Sequence, residues 1–411
     1  KTSMNLIHRS IWNDHTGTFV AVSEITRSAG KKISSCTAAA AAAAAGAGGS
    51  FSLKILAVSL MMACGAGVHA QPVGGVVSAG SATIGGTAGA MTITQTTPNV
   101  AINWLSFGIN AGQSVQFVQP GSSSVALNRV IGSDPSNILG SLTANGKVFL
   151  VNPNGVLFGA GASVNVGGLE ASTLAISDAD FMANNYQFSG AGTGSVENRG
   201  TIKAADGGYV ALLGANVSNQ GVIAAQLGTI ALAAGEAVTL DMAGDKLLNV
   251  TVDQGALNAL VDNGGMIRAD GGQVLLTTQA AGSLLANVVN NTGVIQAQTL
   301  VTGENGTIRL LGGTQSGTLN VAGTLDASAP TGGNGGAIET SAARVNIASG
   351  VILTTAAPSG TTGTWLISPQ DFTVGSLSTD NISGPTLSAQ LVTNSVTIST
   401  AAAGGGDIHV N

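Results

Sequence analysis

Beyond its first 70 residues this chain has no cysteine and a single histidine. Cys36 and Cys64 both fall in the leading stretch, as do His8, His15 and His69, which leaves His409. Without thiols, disulfides and thiolate chemistry are excluded from that portion. Metal hydrolysis, Ser-His-Asp catalysis and Cys-His catalysis each need a histidine held near partners. One imidazole two residues from the last position does not supply that. Charge is equally scarce, at 8% of the 411 residues, against about 25% in an ordinary globular domain. From residue 71 on, 8 Lys and Arg face 18 Asp and Glu, a formal charge of 8 − 18 = −10. So few cations argue against nucleic-acid binding. Aromatics make up only 3%.

What is abundant is glycine, 60 residues, with 44% hydrophobic residues that are mostly Ala, Val, Leu and Ile. Each interior glycine costs a helix about 1 kcal/mol, so a helical fold is disfavoured. A regular all-β chain, with small polar residues at turns and surface, fits this composition. A globular sandwich is the structural alternative.

The first 70 residues are of another kind. Lys31 and Lys32, an alanine run Ala38–Ala45 and an apolar core Leu53–Ala66 precede Val68-His69-Ala70. Basic residues, a short apolar stretch and a small-residue site define a secretory signal, with cleavage expected between Ala70 and Gln71. The apolar stretch is too short to span a membrane comfortably. Met61-Met62-Ala63-Cys64 makes a poor lipidation site, and acylation at Cys64 is the minor alternative.

From about Gly200 the sequence repeats, which takes priority in any fold reading. Asn198-Arg199-Gly200-Thr201-Ile202-Lys203-Ala204 returns as Asn219-Gln220-Gly221-Val222-Ile223-Ala224-Ala225. It returns again as Asn263-Gly264-Gly265-Met266-Ile267-Arg268-Ala269, as Asn291-Thr292-Gly293-Val294-Ile295-Gln296-Ala297, and weakly at Val321–Ala327. A second short strand follows most copies, as in Asp206-Gly207-Gly208-Tyr209-Val210-Ala211-Leu212. The unit reads as turn, strand, turn, strand. It cannot bury its apolar face alone, but stacked copies can. Ile202, Ile223, Ile267 and Ile295 then form one interior ridge, and Ala204, Ala225, Ala269 and Ala297 a second, because alternate side chains face the same way. Asn and Gly fall at corners, where stacked amides can form a ladder. The expected fold is an all-β, parallel β-helix of about a dozen coils, right-handed by the usual crossover sense, with an N-terminal β cap. The cap is expected in the aromatic-rich segment from residue 71 to 195, because an open terminal coil invites aggregation.

Ahead of the repeats, Asn152-Pro153-Asn154-Gly155 separates two apolar runs in Lys147–Gly159. Pro at the second position presets φ for a tight turn, and Gly supplies the left-handed residue that re-enters a strand. The surrounding VFLVNPNGVLFG resembles the signature of the two-partner secretion domain of filamentous haemagglutinin-type exoproteins. Asn103–Ile109, Ile138–Gly146, Gly168–Leu174 and Ile176–Phe181 are similar to its flanking stretches, and Met4–Ser35 resembles the extended signal peptide region of large secreted bacterial proteins. A second Asn-Pro-Asn-Leu element, carried by several relatives, is missing. Trp365–Val374 looks like an element of large adhesins.

The resemblance implies the following division: an extended signal peptide at 1–70, a capped secretion domain at 71–330, and a continuing adhesin region at 331–411. The terminal GGGDIHVN reads as the start of another coil, so a longer protein is expected. The resemblance also implies a surface adhesin, exported first by the general secretory machinery. It is then recognised, at Asn152, Pro153, Asn154 and Gly155, by an outer-membrane transporter barrel with POTRA modules. The surface receptor, on host or bacterium, is unspecified. No cofactor or metal is implied.

Two other readings stay open: an extracellular β-helix carbohydrate-active enzyme, and the delivery arm of a contact-dependent growth inhibition toxin. Two carboxylates suffice for a glycosidase. Asp178 and Asp180 alternate and would share a face of a strand, and Asp206 and Asp270 precede Gly-Gly in equivalent turns. A calcium site needs five or six oxygens, and no Asp-rich nonapeptide is present. Glycine stretches such as Gly332–Gly336 lack the Lys-Ser/Thr ending of a phosphate loop.

Overall fold

The computed structural model describes the backbone of residues 8–13 and 18–23, and residues 71–411 except 191, 193, 242–247, 283–286, 301–302 and 401–405. The chain divides into two units, Lys1–Ala66 and Gly67–Asn411. In the first, His8–Asn13 pairs antiparallel with Thr18–Ser23. The signal core at 53–66 and Ala70, on one side of the expected cleavage bond, lie outside the described residues. Among the described residues, no helix is long and apolar enough to cross a membrane.

The second unit is a parallel β-helix with three faces. Each coil runs through face A, then face B, then face C. Among the described residues, face A has eleven strands, face B twelve and face C eight. One complete coil reads Thr201–Ala204 on face A, Tyr209–Gly214 on face B and Asn216–Asn219 on face C. The two-strand unit expected from the repeats is therefore corrected to three strands. The third was hidden because face C strands are short and end in the Asn of the next repeat copy, so they read as the approach to a turn.

The interior ridges follow the expected register. Ile202 sits on Ile223, Ile223 on Ile267, Ile267 on Ile295, Ile295 on Leu325 and Leu325 on Leu353. The first five are inaccessible to solvent, as are Ala225, Ala269 and Ala297, and Ala204 is nearly so. Burying each isoleucine contributes about 1.5–3 kcal/mol. At the C-to-A corner the repeat asparagines form a buried ladder. Asn198 Nδ2 donates to Asn219 Oδ1 (2.8 Å), Asn219 to Asn263 (2.8 Å), Asn263 to Asn291 (2.7 Å), and Asn291 to the Ala322 carbonyl (2.8 Å). The glycine two residues on has no room for a side chain: a Cβ at Gly265 would lie 2.2 Å from the Gly221 carbonyl oxygen.

The first coil is closed by two antiparallel strands. Val76–Ala79 pairs with Asn99–Trp104 on face B, and Ala82–Thr87 pairs with Ala90–Gln95 on face A. Inside, Trp104 meets Phe107 edge to face at 5.5 Å and donates Nε1 to Asn128 Oδ1 (3.0 Å).

Not all aromatics of this segment serve the first coils and cap. Two insertions leave the helix at the B-to-C corner. The first spans residues 173–195 and carries the helix Asp178–Met182 and the strand Tyr186–Ser189. The second spans 235–259 and carries Ala237–Asp241 and Asn249–Gln254. Their three strands join into one antiparallel sheet, with Tyr186 opposite Leu240 and Val238 opposite Val252. This sheet packs outside face B and builds a second core around Phe149, with Phe181, Tyr186 and Phe188 rings 5.1–6.0 Å from its own. Where the sheet lies over it, face B is buried on both sides, which explains its unbroken apolar runs such as Val148–Val151 and Ile230–Ala234.

Past residue 330 the strands Ala337–Ser341, Arg344–Ile347, Ile352–Thr354 and Thr364–Ser368 extend all three faces.

Candidate functional site

Asn152-Pro153-Asn154-Gly155 forms the B-to-C corner of one coil, between the strands Lys147–Val151 and Val156–Phe158. The Gly155 amide donates to the Asn152 carbonyl (3.0 Å), closing a four-residue turn. Gly155 has φ +117°, where any other residue is strained. Asn152 is fully buried. Its Oδ1 accepts from the Asn154 backbone amide (3.0 Å) and from Asn154 Nδ2 (3.1 Å), the Asx geometry expected of Asn in a turn.

The turn also binds the coils on either side. Toward the preceding coil, Asn152 Nδ2 donates to the Asp134 carbonyl (2.9 Å) and Ser136 Oγ (3.0 Å), and Asn154 Nδ2 donates to the Gly132 carbonyl (2.9 Å). Toward the following coil the bonds are between backbones. The Asn152 amide donates to Ser172, where the first insertion departs. The Pro153 carbonyl accepts from Gly194, and the Val156 amide donates to Ser195, where that insertion returns (2.9–3.1 Å). The motif therefore clamps both roots of the insertion that supplies Tyr186 and Phe188. Pro153 is exposed and Asn154 partly so. Of the four, they are the side chains a partner can touch once the chain has folded.

The contacts at Gly132, Asp134, Ser136, Gly194 and Ser195 were not singled out from sequence. Gly132, Asp134, Gly194 and Ser195 contribute only backbone atoms to them, which leave no mark on side-chain choice. Gly194 is the exception: a Cβ there would lie 2.3 Å from the Gly155 amide nitrogen.

The candidate acids do not gather. Asp178 and Asp180 lie on a short helix rather than on a strand, a correction to the alternation read from sequence. Ser177 caps that helix by accepting from the Asp180 amide, and two acids in the first turn suit its dipole. Asp178 pairs with Arg129 at 2.8 Å. Asp180 is held below the usual carboxylate range by hydrogen bonds from Ser177 and Asn185. Asp206 is exposed, whereas Asp270 is buried against Arg268 at 2.6 Å and takes further bonds from Gln296 and Gln298. Among the described residues no three His, Cys, Asp or Glu side chains group to hold a metal. His409 lies in the strand Ile408–Val410, opposite Thr373.

One acid was passed over in sequence. Glu170, quoted only as part of Gly168–Leu174, is fully buried in the second core, and neither carboxyl oxygen has a hydrogen-bond partner.

The comparisons with known proteins agree with this architecture. The heme/hemopexin-binding protein of Haemophilus influenzae (strain ATCC 51907 / DSM 11121 / KW20 / Rd) is 36% identical over 252 residues, covering 58% of this chain and 27% of its own length. A second heme/hemopexin-binding protein from Haemophilus influenzae is 33% identical over 250 residues, covering 54% and 26%. The chain thus spans about a quarter of the length of the curated relatives it matches. The crystal structure of the HMW1 secretion domain from Haemophilus influenzae aligns with a TM-score of 0.60 at 24% identity, covering 83% of this chain and 100% of that one, which shows a shared β-helical fold. Residues 4–53 match the family described as the extended signal peptide of the type V secretion system. Residues 69–327, which include the cap, the motif turn, both insertions and the asparagine ladder, match the TPS secretion domain, and this chain belongs to that family.

Proposed function

We propose that residues 71–330 are the secretion module of a haemagglutinin-type surface adhesin and that residues 331–411 continue its coil stack. Residues 1–70 would be removed after Ala70. The extended signal peptide and the TPS domain send the chain through the periplasm to the cell surface or beyond. In this reading the general secretory machinery moves it across the inner membrane. A dedicated outer-membrane barrel then takes it by periplasmic POTRA modules, and the chain stacks into its β-helix outside. Having no cysteine beyond residue 64, it can stay extended in an oxidising compartment. Each added coil buries its apolar ridge on the one before, which resists back-sliding. The protein is read as non-enzymatic.

The observation that supports a role for Asn152–Gly155 in export is its double character. In the unfolded chain it is a linear four-residue signal. In the folded chain Asn152 is sealed inside a corner that joins three coils. Recognition by Asn152 must therefore precede folding, which suits a transporter that accepts unfolded chain.

The test replaces Asn152 and Asn154 with Ala, co-expresses the partner barrel and assays the medium. Secretion is expected to be lost. Undiminished secretion removes the recognition role. Lost secretion with unchanged thermal stability assigns the residues to recognition rather than to folding. A reducing-sugar assay on the exported protein is expected to be blank, and activity there would favour the carbohydrate-active alternative.

A further inference from the structure

Glu170 occupies an unusual position for a carboxyl group. Its strand, Gly168–Ser172, lies on face B, with Leu169 and Ala171 pointing into the coil interior. Glu170 points the other way, into the second core, between Phe149 of the preceding coil and Ala211 of the following one. It is 0% exposed, and both oxygens lack partners. An ionised carboxylate in such a place is strongly disfavoured, so the group neutralises instead. Burial is the larger effect and pushes its carboxyl well above the usual carboxylate range; the neighbouring Ser172 hydroxyl acts in the opposite direction without making a hydrogen bond of good geometry.

The groups that face this core do not relieve it. From the following coil comes Tyr209, fully buried, its hydroxyl unpartnered and its ionisation pushed far up by burial. The extra-helical sheet contributes Tyr186, pushed up to about 12 by burial. Lys147, on the strand of Phe149, holds its Nζ 5.4 Å from the centre of the Tyr209 ring and is lowered by burial. Arg129 pairs with Asp178, at the start of the short helix. Asp180, Asp241 and Asp253 lie on the exposed side of the insertions.

We propose that Glu170 is a proton-operated latch: the extra-helical layer closes over face B with Glu170 as the neutral acid, and ionisation of that carboxyl loosens the layer while the coils beneath stay stacked. The sign follows from linkage. The closed layer holds the proton to a higher pH than the open one, in which Glu170 is solvated and ordinary. Closure is therefore strongest below about pH 4.3, the ordinary glutamate value. It weakens as pH rises through the interval up to the closed-state value, by about tenfold in the opening equilibrium per pH unit. The latch belongs to this chain alone and does not depend on the transporter reading, so either can fail without the other.

The experiment is hydrogen exchange on the full chain from pH 5 to 7, corrected for the intrinsic pH dependence of exchange. Amides of Tyr186–Ser189 and Ala237–Asp241 are compared with those of Val222–Ala224 and Met266–Arg268. In the parent chain the opening equilibrium of the layer rises at least tenfold across the range, while the coil amides stay flat. In Glu170→Gln, which keeps shape but cannot ionise, the layer stays closed and flat. A parent layer as flat as that of the Gln variant overturns the latch. Should Glu170→Gln fail to fold, infrared spectroscopy of the parent decides. An un-ionised carboxylic acid band present at pH 7 and lost on unfolding supports the latch, and its absence overturns it.

Discussion

Asn219 donates its side-chain amide to Asn263 across 2.8 Å, although 44 residues separate the two in sequence. The bond from Asn198 to Asn219 has the same length over 21 residues. The coil therefore keeps its size when a hairpin is inserted, and the extra residues are placed wholly outside. Asn219 both accepts and donates in this ladder, so removing it takes one bond from each of two buried amides. Asn219→Ala is expected to destabilise the fold by about 2–4 kcal/mol, read as a lowered urea midpoint. Ser218→Ala, on the outward face one residue away, is expected to change it by less than about 0.5 kcal/mol.

The motif turn separates its own residues by burial. Asn152→Ala removes bonds to Asp134, Ser136 and Asn154 from a sealed position and is expected to lose about 2–4 kcal/mol. Pro153→Ala changes an exposed ring and is expected to lose less than about 1 kcal/mol, mostly through the unfolded chain. Urea denaturation of both, run beside a secretion assay, distinguishes stability from recognition. A drop in secretion for Pro153→Ala has no explanation in stability.

Phe149 anchors the second core and is not part of the cluster that fills the coils. Phe149→Ala is expected to lose about 3–5 kcal/mol from that layer. Near-ultraviolet dichroism from its tyrosines should fall while the far-ultraviolet β signal persists. Simultaneous loss of both signals would mean that the layer and the coils unfold as one unit.

Glycines differ sharply in what they tolerate. Gly265→Ala places a methyl against the carbonyl of the coil before it and is expected to lose more than about 2 kcal/mol. Gly121→Ala meets nothing within 4 Å and is expected to be neutral, within about 0.5 kcal/mol. Thermal melts of the two variants make the comparison.

The parts of this fold that sequence made plain are those that repeat. Ile202, Ile223, Ile267 and Ile295 recur in one pattern because each meets its own kind above and below, and the repeat asparagines recur for the same reason. The extra-helical layer has no such rhythm. Its strands come from insertions in two different coils, and Tyr186–Ser189 finds its partner only about fifty positions on. Phe149, Tyr186 and Phe188 therefore read as cap or interior residues, when they form a separate core. Glu170 escaped notice because the outward positions of a β-helix are normally wet. Only the sheet lying over it makes that position dry. At the motif turn, the turn itself was legible from Pro and Gly, whereas its grip on Ser172, Gly194 and Ser195 runs through backbone atoms and was not.

The clamp at the insertion roots sets an order of events. Pro153 and Asn152 fix where the strand Tyr186–Ser189 leaves and returns, yet that strand finds its partner only when Ala237–Asp241 arrives. A chain that emerges from its N-terminus must hold Phe149 and its neighbours incompletely covered until two further coils have followed. The second core is in effect a timer, set by sequence distance and closed only after the coils beneath it.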